Sequence, residues 1–297
     1  MTGMCVDGTP VEDHREQFGL WVKREDLCCP GGPNFSKTRG VWAHVAARPE
    51  KMIGVLDTAH SQGGWAVARA CAELGKQCVE FYPVRKADTK FGGEVQEMCL
   101  KLGAFTKGLP AGRSAVLYHT AKKILAHDQP AGFTYMMPNA LKLPEMITET
   151  AAEVARTIGP GGGLVQVQPT PYFQGTQLEV PRYDLVDTVL ISASSGTIAA
   201  GVCRGLLDLG WRGTVVVHQG YSRPEGAMRK YMAQMMGEAY ASFNLVVVDE
   251  GYAYAGAARP GPTPPWPCNQ FYDLKAFRWW MREGRAKYEE AMLWNIG

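Results

Sequence analysis

Ile53-Gly54-Val55-Leu56-Asp57-Thr58-Ala59-His60-Ser61-Gln62-Gly63-Gly64-Trp65, running into Ala66 to Leu74, reads as a short buried strand, a turn of small and polar residues, and an amphipathic helix. Gly75 stands where helices commonly close on a left-handed residue, and a second strand pattern follows from Gln77 to Tyr82. The same order recurs downstream. Thr188 to Thr197 leads into a helical pattern from Ile198 to Leu209, Gly210 stops it, and Thr214 to His218 resumes as a strand. Two β-α-β units predict an α/β fold of open, twisted, mainly parallel sheets flanked by helices, either two sheets or two halves of one.

Between the units the periodicity predicts helices over Gly92 to Leu102, Ser114 to His127 and Pro144 to Ile158, with a strand at Phe133 to Met137 among them. A helix over Pro224 to Met236 and a strand over Leu245 to Val248 continue the alternation. Two stretches break it. Gly159 to Arg182 is punctuated by glycine and proline and reads as a long loop or irregular hairpin, and Arg259 to Pro267, with five prolines, reads as an extended strap. A last helix is expected from Asp273 to about Trp294, with Phe277, Trp280 and Met281 toward the core.

The 297 residues are 46% hydrophobic, enough for a full core in one large or two medium domains. Lysine and arginine number 31 against 29 acids, and a net charge of +2 gives no global field that demands nucleic acid or an anionic membrane. The eight cysteines form no C-x-x-C pair and are read as reduced, mostly buried thiols. The N-terminus has no basic start followed by an apolar run, and no segment approaches ~18 uninterrupted apolar residues, so a cytoplasmic protein with no membrane span is expected.

Ala193-Ser194-Ser195-Gly196-Thr197 joins a strand to a helix through small residues, so backbone N–H groups and three hydroxyls gather where the helix dipole favours an anion. The same pattern also serves as an ordinary tight turn. His60-Ser61-Gln62-Gly63-Gly64 lacks the spacing of a dinucleotide fingerprint and carries side chains, which suits a polar ligand, or simply a helix capped by Ser61. No P-loop, H-E-x-x-H site or G-x-S-x-G elbow is present, and the six histidines have no metal-ligand spacing, so no metal is assigned. Lys37, in Gly32-Pro33-Asn34-Phe35-Ser36-Lys37-Thr38-Arg39-Gly40, follows a Gly-Pro loop at an expected helix start. A lysine amine, a phosphate-type turn and a polar turn on a separate β-α unit are the parts that pyridoxal 5'-phosphate requires.

These residues resemble the fold-type II pyridoxal-phosphate enzymes related to the tryptophan synthase β chain, nearest the 1-aminocyclopropane-1-carboxylate deaminase and D-cysteine desulfhydrase branch. Val22-Lys23-Arg24-Glu25-Asp26-Leu27 and Ser36-Lys37-Thr38-Arg39 are similar to that branch's K-R-E-D and N-K-x-R-K elements. The resemblance implies that Lys37 carries the cofactor as a Schiff base and moves the substrate's α-proton. His60-Ser61-Gln62 resembles the Q-S-N turn, which implies that His60 and Ser61 contact substrate and that Gln62 takes the place of an asparagine bonding the ring hydroxyl. Ser194-Ser195-Gly196-Thr197 resembles the S-G-G-T phosphate loop, with Ser195 where glycine is usual. Phe271 to Ala276 resembles a V-Y-x-G-K-A element near the active site, and Tyr252 or Tyr254 corresponds to a substrate-facing tyrosine of a G-Y-G-x-P element. The residue facing the pyridine nitrogen is not assigned.

The resemblance further implies a large cofactor-binding domain of residues 1–50 and 144–297, a small domain of 51–143, an active site between them, and a homodimer. The leading expectation is an enzyme acting at the α or β carbon of an amino-acid substrate by elimination, deamination or β-replacement. A second is action on an amino-acid adduct of a DNA base in a bacteriophage pathway, in the host cytoplasm, with Arg278, Trp279, Trp280, Arg282 and Arg285 offered as phosphate and stacking contacts. A third is a non-catalytic module that binds the cofactor or another phosphate ligand.

Overall fold

The computed structural model describes residues 5–58, 61–84, 93–159, 186–237, 240 and 243–297. His60 and the loop expected from Gly159 to Arg182, beyond its first residue, lie outside the described residues. In chain order the elements are β1 (Val11–His14), α1 (Arg15–Phe18), β2 (Leu20–Arg24), α2 (Thr38–Ala47), β3 (Met52–Leu56), α3 (Gly63–Glu73), β4 (Gln77–Val84), α4 (Glu94–Lys101), β5 (Phe105–Pro110) and α5 (Ser114–Ala126). There follow β6 (Thr134–Met136), α6 (Pro144–Ile158), β7 (Thr188–Ala193), α7 (Thr197–Asp208), β8 (Thr214–Gln219), α8 (Ala227–Met236), β9 (Asn244–Val248), α9 (Asp273–Arg282) and β10 (Ala291–Asn295).

The chain divides into two compact units. The first comprises Met1–Cys5, Gly31–Pro33 and Lys37–Met146, and the second Val6–Pro30, Asn34–Ser36 and Ile147–Gly297. The first unit holds a four-stranded sheet in the order β5-β4-β3-β6, with every pairing parallel. Leu56, Phe81, Leu117, Ala121, Leu125 and Met136 pack one of its cores. The second holds a six-stranded sheet in the order β1-β2-β10-β7-β8-β9, parallel except where β1 meets β2. Two mainly parallel sheets flanked by helices are what the paired β-α-β units predict.

In each sheet the strand order reverses direction once. From β3 the chain builds outward through β4 and β5 and later returns to the other side of β3 as β6; from β7 it builds through β8 and β9 and returns as β10. The crevice at the carboxyl ends of the strands flanking such a reversal is where open α/β sheets bind ligands. The turns at Ser61–Gly64 and Ser194–Thr197 leave the carboxyl ends of β3 and β7. Both candidate turns therefore occupy switch points.

Close helix packing supports the second sheet. Side chains at Gly201 and Gly205, one helical turn apart on α7, would lie 2.6 Å from the Cβ atoms of Thr150 and Val154 on α6, so glycine lets the two helix backbones approach. Lys23 Nζ, fully buried on β2, donates to Glu153 of α6 at 2.6 Å and to the carbonyl of Thr9 at 2.6 Å. A buried charge is tolerable here because it is paired and hydrogen-bonded.

The helix expected from Asp273 to about Trp294 is corrected. It ends at Arg282, and Ala291 to Asn295 is instead the fully buried strand between β2 and β7. A four-residue apolar run satisfies helix and buried strand equally, and the parallel slot between two strands decides it. Phe277 and Trp280 do enter the core, with Met281 packed at its margin. The stacking surface proposed on this helix is also corrected. Trp279 and Trp280 are buried against Phe18, Trp266 and Phe277, and Trp280 Nε1 donates to the carbonyl of Phe18 at 2.8 Å. Arg278 is spent on the carbonyls of Ala258, Arg259 and Pro262, tying down the proline-rich strap. Among the described residues no helix is long and apolar enough to cross a membrane.

Candidate active site

In the first unit Lys37 sits immediately before α2, and its carbonyl accepts the N–H of Val41 at 3.0 Å. The helix start fixes its backbone, while the half-buried side chain reaches 3.5 Å from the carbonyl of Ala140. Ala140 and Leu141 both have left-handed φ, 60° and 51°. For non-glycine residues that costs roughly 1–2 kcal/mol each, and such strain concentrates at functional sites. No glycine or asparagine at 140 or 141 announces it in the sequence.

The turn after β3 meets the same two residues. A side chain at Gly63 would touch Leu141 Cδ1 at 3.0 Å, so Lys37 and the Ser61–Gly64 turn both abut residues 140–141. Ser61 Oγ accepts the N–H of Gly63 at 3.1 Å and donates to Asp57, whose Oδ2 accepts the N–H of Gly64 at 2.9 Å. These two groups satisfy the first two open N–H groups of α3. The side chain of Gln62, the residue just before α3, makes no cap bond to the helix.

In the second unit the turn after β7 forms a hydroxyl cluster. Ser195 Oγ lies 3.0 Å from Thr197 Oγ1 and accepts the Thr197 N–H at 3.4 Å, and Tyr231 places its hydroxyl 3.1 Å from Thr197 Oγ1. Gly196 has φ 84°, and a side chain there would meet Met228 Sδ at 2.9 Å and the Tyr231 ring at 3.1 Å. Glycine is required for backbone and space alike. Arg223 donates to the carbonyl of Ser194 and to Tyr221 Oη, bringing a positive charge to the turn. Small residues, hydroxyls, a helix N-terminus and a guanidinium suit a phosphate monoester, so these residues fit pyridoxal phosphate. Arg223 and Tyr231 lie 26 to 37 positions beyond the turn, and sequence reasoning missed both; their place on the next β-α unit was the available signal.

Tyr252 and Tyr254 also lie in this unit. Tyr252 is buried, accepts the Arg259 N–H at 3.3 Å and faces Lys275 Nζ 4.4 Å from its ring centroid; Tyr254 is exposed and meets Tyr221 edge-on at 5.0 Å. Lys275 donates to the carbonyl of Gly220, and burial pulls its pKa down to about 8. Asp273, wholly buried, accepts Ser192 Oγ at 2.7 Å and the N–H groups of Ile296 and Gly297 at 3.2 Å each. Burial raises its pKa to about 6.

No protein-family model matches the chain. It is 44% identical over 306 residues to the glycyl-dTMP PLP-dependent decarboxylase of Pseudomonas phage M6, covering 99% of this chain and all of that one. Among solved structures, an ACC deaminase homologue superposes with TM-score 0.72 at 16% identity, covering 99% of this chain and 90% of that one. A fungal L-serine ammonia-lyase from Rhizomucor miehei gives TM-score 0.64 at 11% identity over 99% and 94% of the two chains. Threonine deaminase isoform 2 from Solanum lycopersicum gives 0.60 at 14% over 99% and 80%. With a lysine at a helix start, a hydroxyl-lined turn at one sheet's switch point and a polar turn at the other's, the chain belongs to the fold-type II pyridoxal-phosphate-dependent enzymes.

Proposed function

We propose that this enzyme removes the carboxyl group of an amino acid joined to a pyrimidine nucleotide, with pyridoxal phosphate held by Lys37 and by the Ser194–Thr197 turn. The observation that carries the reading is the 44% identity, over the whole of both chains, to the phage glycyl-dTMP decarboxylase. When bound, the cofactor supplies an electron sink next to the substrate's α-carbon. The chain's own residues do the rest. The Lys37 amine would hold the cofactor and would supply a proton to the substrate's α-carbon. The hydroxyls of Ser195, Thr197 and Tyr231 and the Arg223 guanidinium hold the phosphate, while the turn at Ser61 and Gln62 receives the substrate carboxylate and the ring substituents.

Elimination or deamination of a free amino acid uses the same lysine and the same cradle, and the substrate panel separates the readings. The loaded enzyme is incubated with glycyl-dTMP and with free amino acids, and products are followed by mass spectrometry. Loss of carbon dioxide from the nucleotide adduct is expected. Turnover of free amino acids alone, with the adduct unchanged, overturns the proposal.

A further inference from the structure

Asp57 ends β3, and Glu80 lies on the adjoining strand β4, where it pairs in register with Val55. Both side chains are buried, at 3% and 0% exposure. They converge on the first turn of α3: a side chain at Gly64 would lie 2.7 Å from Glu80 Oε1 and 2.8 Å from Asp57 Oδ2. Asp57 accepts the N–H of Thr58 at 2.7 Å, the N–H of Gly64 at 2.9 Å and the Ser61 hydroxyl. Glu80 Oε1 accepts Gln96 Nε2 at 2.7 Å, whereas Oε2 is buried without a hydrogen-bond partner among the described residues.

The surrounding titratable groups are acids or thiols. Tyr82 shares β4 with Glu80, Cys78 lies on the same strand, Cys99 comes from α4 and Cys71 from α3. Hydrogen bonding to Cys71 and burial hold the Cys78 thiol protonated; burial does the same for Cys99 and Tyr82. Among the described residues no lysine, arginine or histidine pairs with Asp57 or Glu80. Two carboxylates in a dry site without a cation do not both ionise at neutral pH.

We propose that Asp57 and Glu80 hold one proton between them and that this shared proton fixes the Ser61–Gly64 turn, which makes both acids positioning residues for the ligand. Asp57 anchors Ser61 and the start of α3, and Glu80 backs it from the neighbouring strand. Burial, and then the charge of Glu80, push Asp57 up to about 8, and burial raises Glu80 as well. The role of the turn in ligand binding rests on the function proposed above, but the shared proton is tested on the protein without cofactor.

Infrared spectra at pH 7 report protonated carboxyl groups, and hydrogen exchange with mass spectrometry, corrected for intrinsic rate, reports opening of residues 61–66. The expected result is a protonated-carboxyl band at pH 7 that is weaker in Glu80→Gln. Protection of residues 61–66 should fall about tenfold per pH unit up to pH 8 and then level off, while Glu80→Gln, which keeps the burial of Asp57 but loses the neighbouring charge, levels off at a lower pH. A wild type with no such band at pH 7 overturns the proposal, as do identical pH profiles in the two proteins. If Glu80→Gln does not fold, Asp57→Asn is the second substitution, and its band should be weaker than that of the wild type. Cofactor binding is measured separately by absorbance, so a shared proton in a protein that binds no cofactor sinks the functional reading and leaves this one standing.

Discussion

The Tyr231 hydroxyl lies 3.1 Å from Thr197 Oγ1, linking α8 to the first residue of α7. Burial raises the phenol's pKa, so it stays protonated and available as a donor. Tyr231→Phe removes one hydroxyl from the phosphate turn while keeping the ring that packs beside Gly196. One such hydrogen bond contributes about 1 kcal/mol. Cofactor titration should therefore show affinity about fivefold weaker, with little change in melting temperature.

Lys37 is half-buried, and its side chain reaches the carbonyl of Ala140 at 3.5 Å, a contact too long to contribute much to folding. Lys37→Ala should fold like the wild type and lose the visible absorption of covalently held cofactor. Turnover should drop at least ~10²-fold with the proton-transfer group gone. An alanine variant that keeps both absorption and turnover would remove Lys37 from its role.

The two switch-point turns were legible because each is a local word: strand, small residues, helix, glycine stop. What surrounds them is non-local. Asp57 and Glu80 meet only because β3 and β4 pair in one register, and Arg223 reaches Ser194 from the following β-α unit. Ala140 and Leu141 adopt left-handed backbone with residues that do not advertise it. Trp280 was expected in the core, yet with Trp279 beside three arginines it also read as a stacking face, and the aromatic cluster at Phe18 and Trp266 shows both to be core. β10 was misread for the same reason, since its apolar run fits a strand only once β2 and β7 leave a place for it.

Asp273 binds the chain's end, through the N–H groups of Ile296 and Gly297, to Ser192 on β7. Burial raises its pKa from 3.8 to about 6. An acid whose folded pKa is raised binds more protons folded than unfolded, so its contribution is fully present below pH 3.8 and is lost as pH rises through about 6. The amplitude is about 3 kcal/mol or less. Thermal unfolding from pH 4 to 7 should show this decline, and Asp273→Asn should flatten it while lowering stability at the acid end, where an amide N–H₂ faces backbone donors.

Arg223 offers the sharpest test of the phosphate turn, because its guanidinium does two separable things. It carries a charge beside the helix N-terminus of α7, and its Nη2 donates to both the Ser194 carbonyl and the Tyr221 hydroxyl while the guanidinium plane lies 4.8 Å over the Tyr221 ring. Arg223→Ala removes both. Cofactor affinity should fall about tenfold, and its salt dependence should flatten with the charge gone. Arg223→Lys keeps the charge but lacks the stacking plane, so it should retain the salt dependence while recovering only part of the affinity. Full recovery in the lysine variant would mean that charge alone matters, and an unchanged affinity in the alanine variant would mean that the arginine serves only to hold the Ser194 backbone in shape.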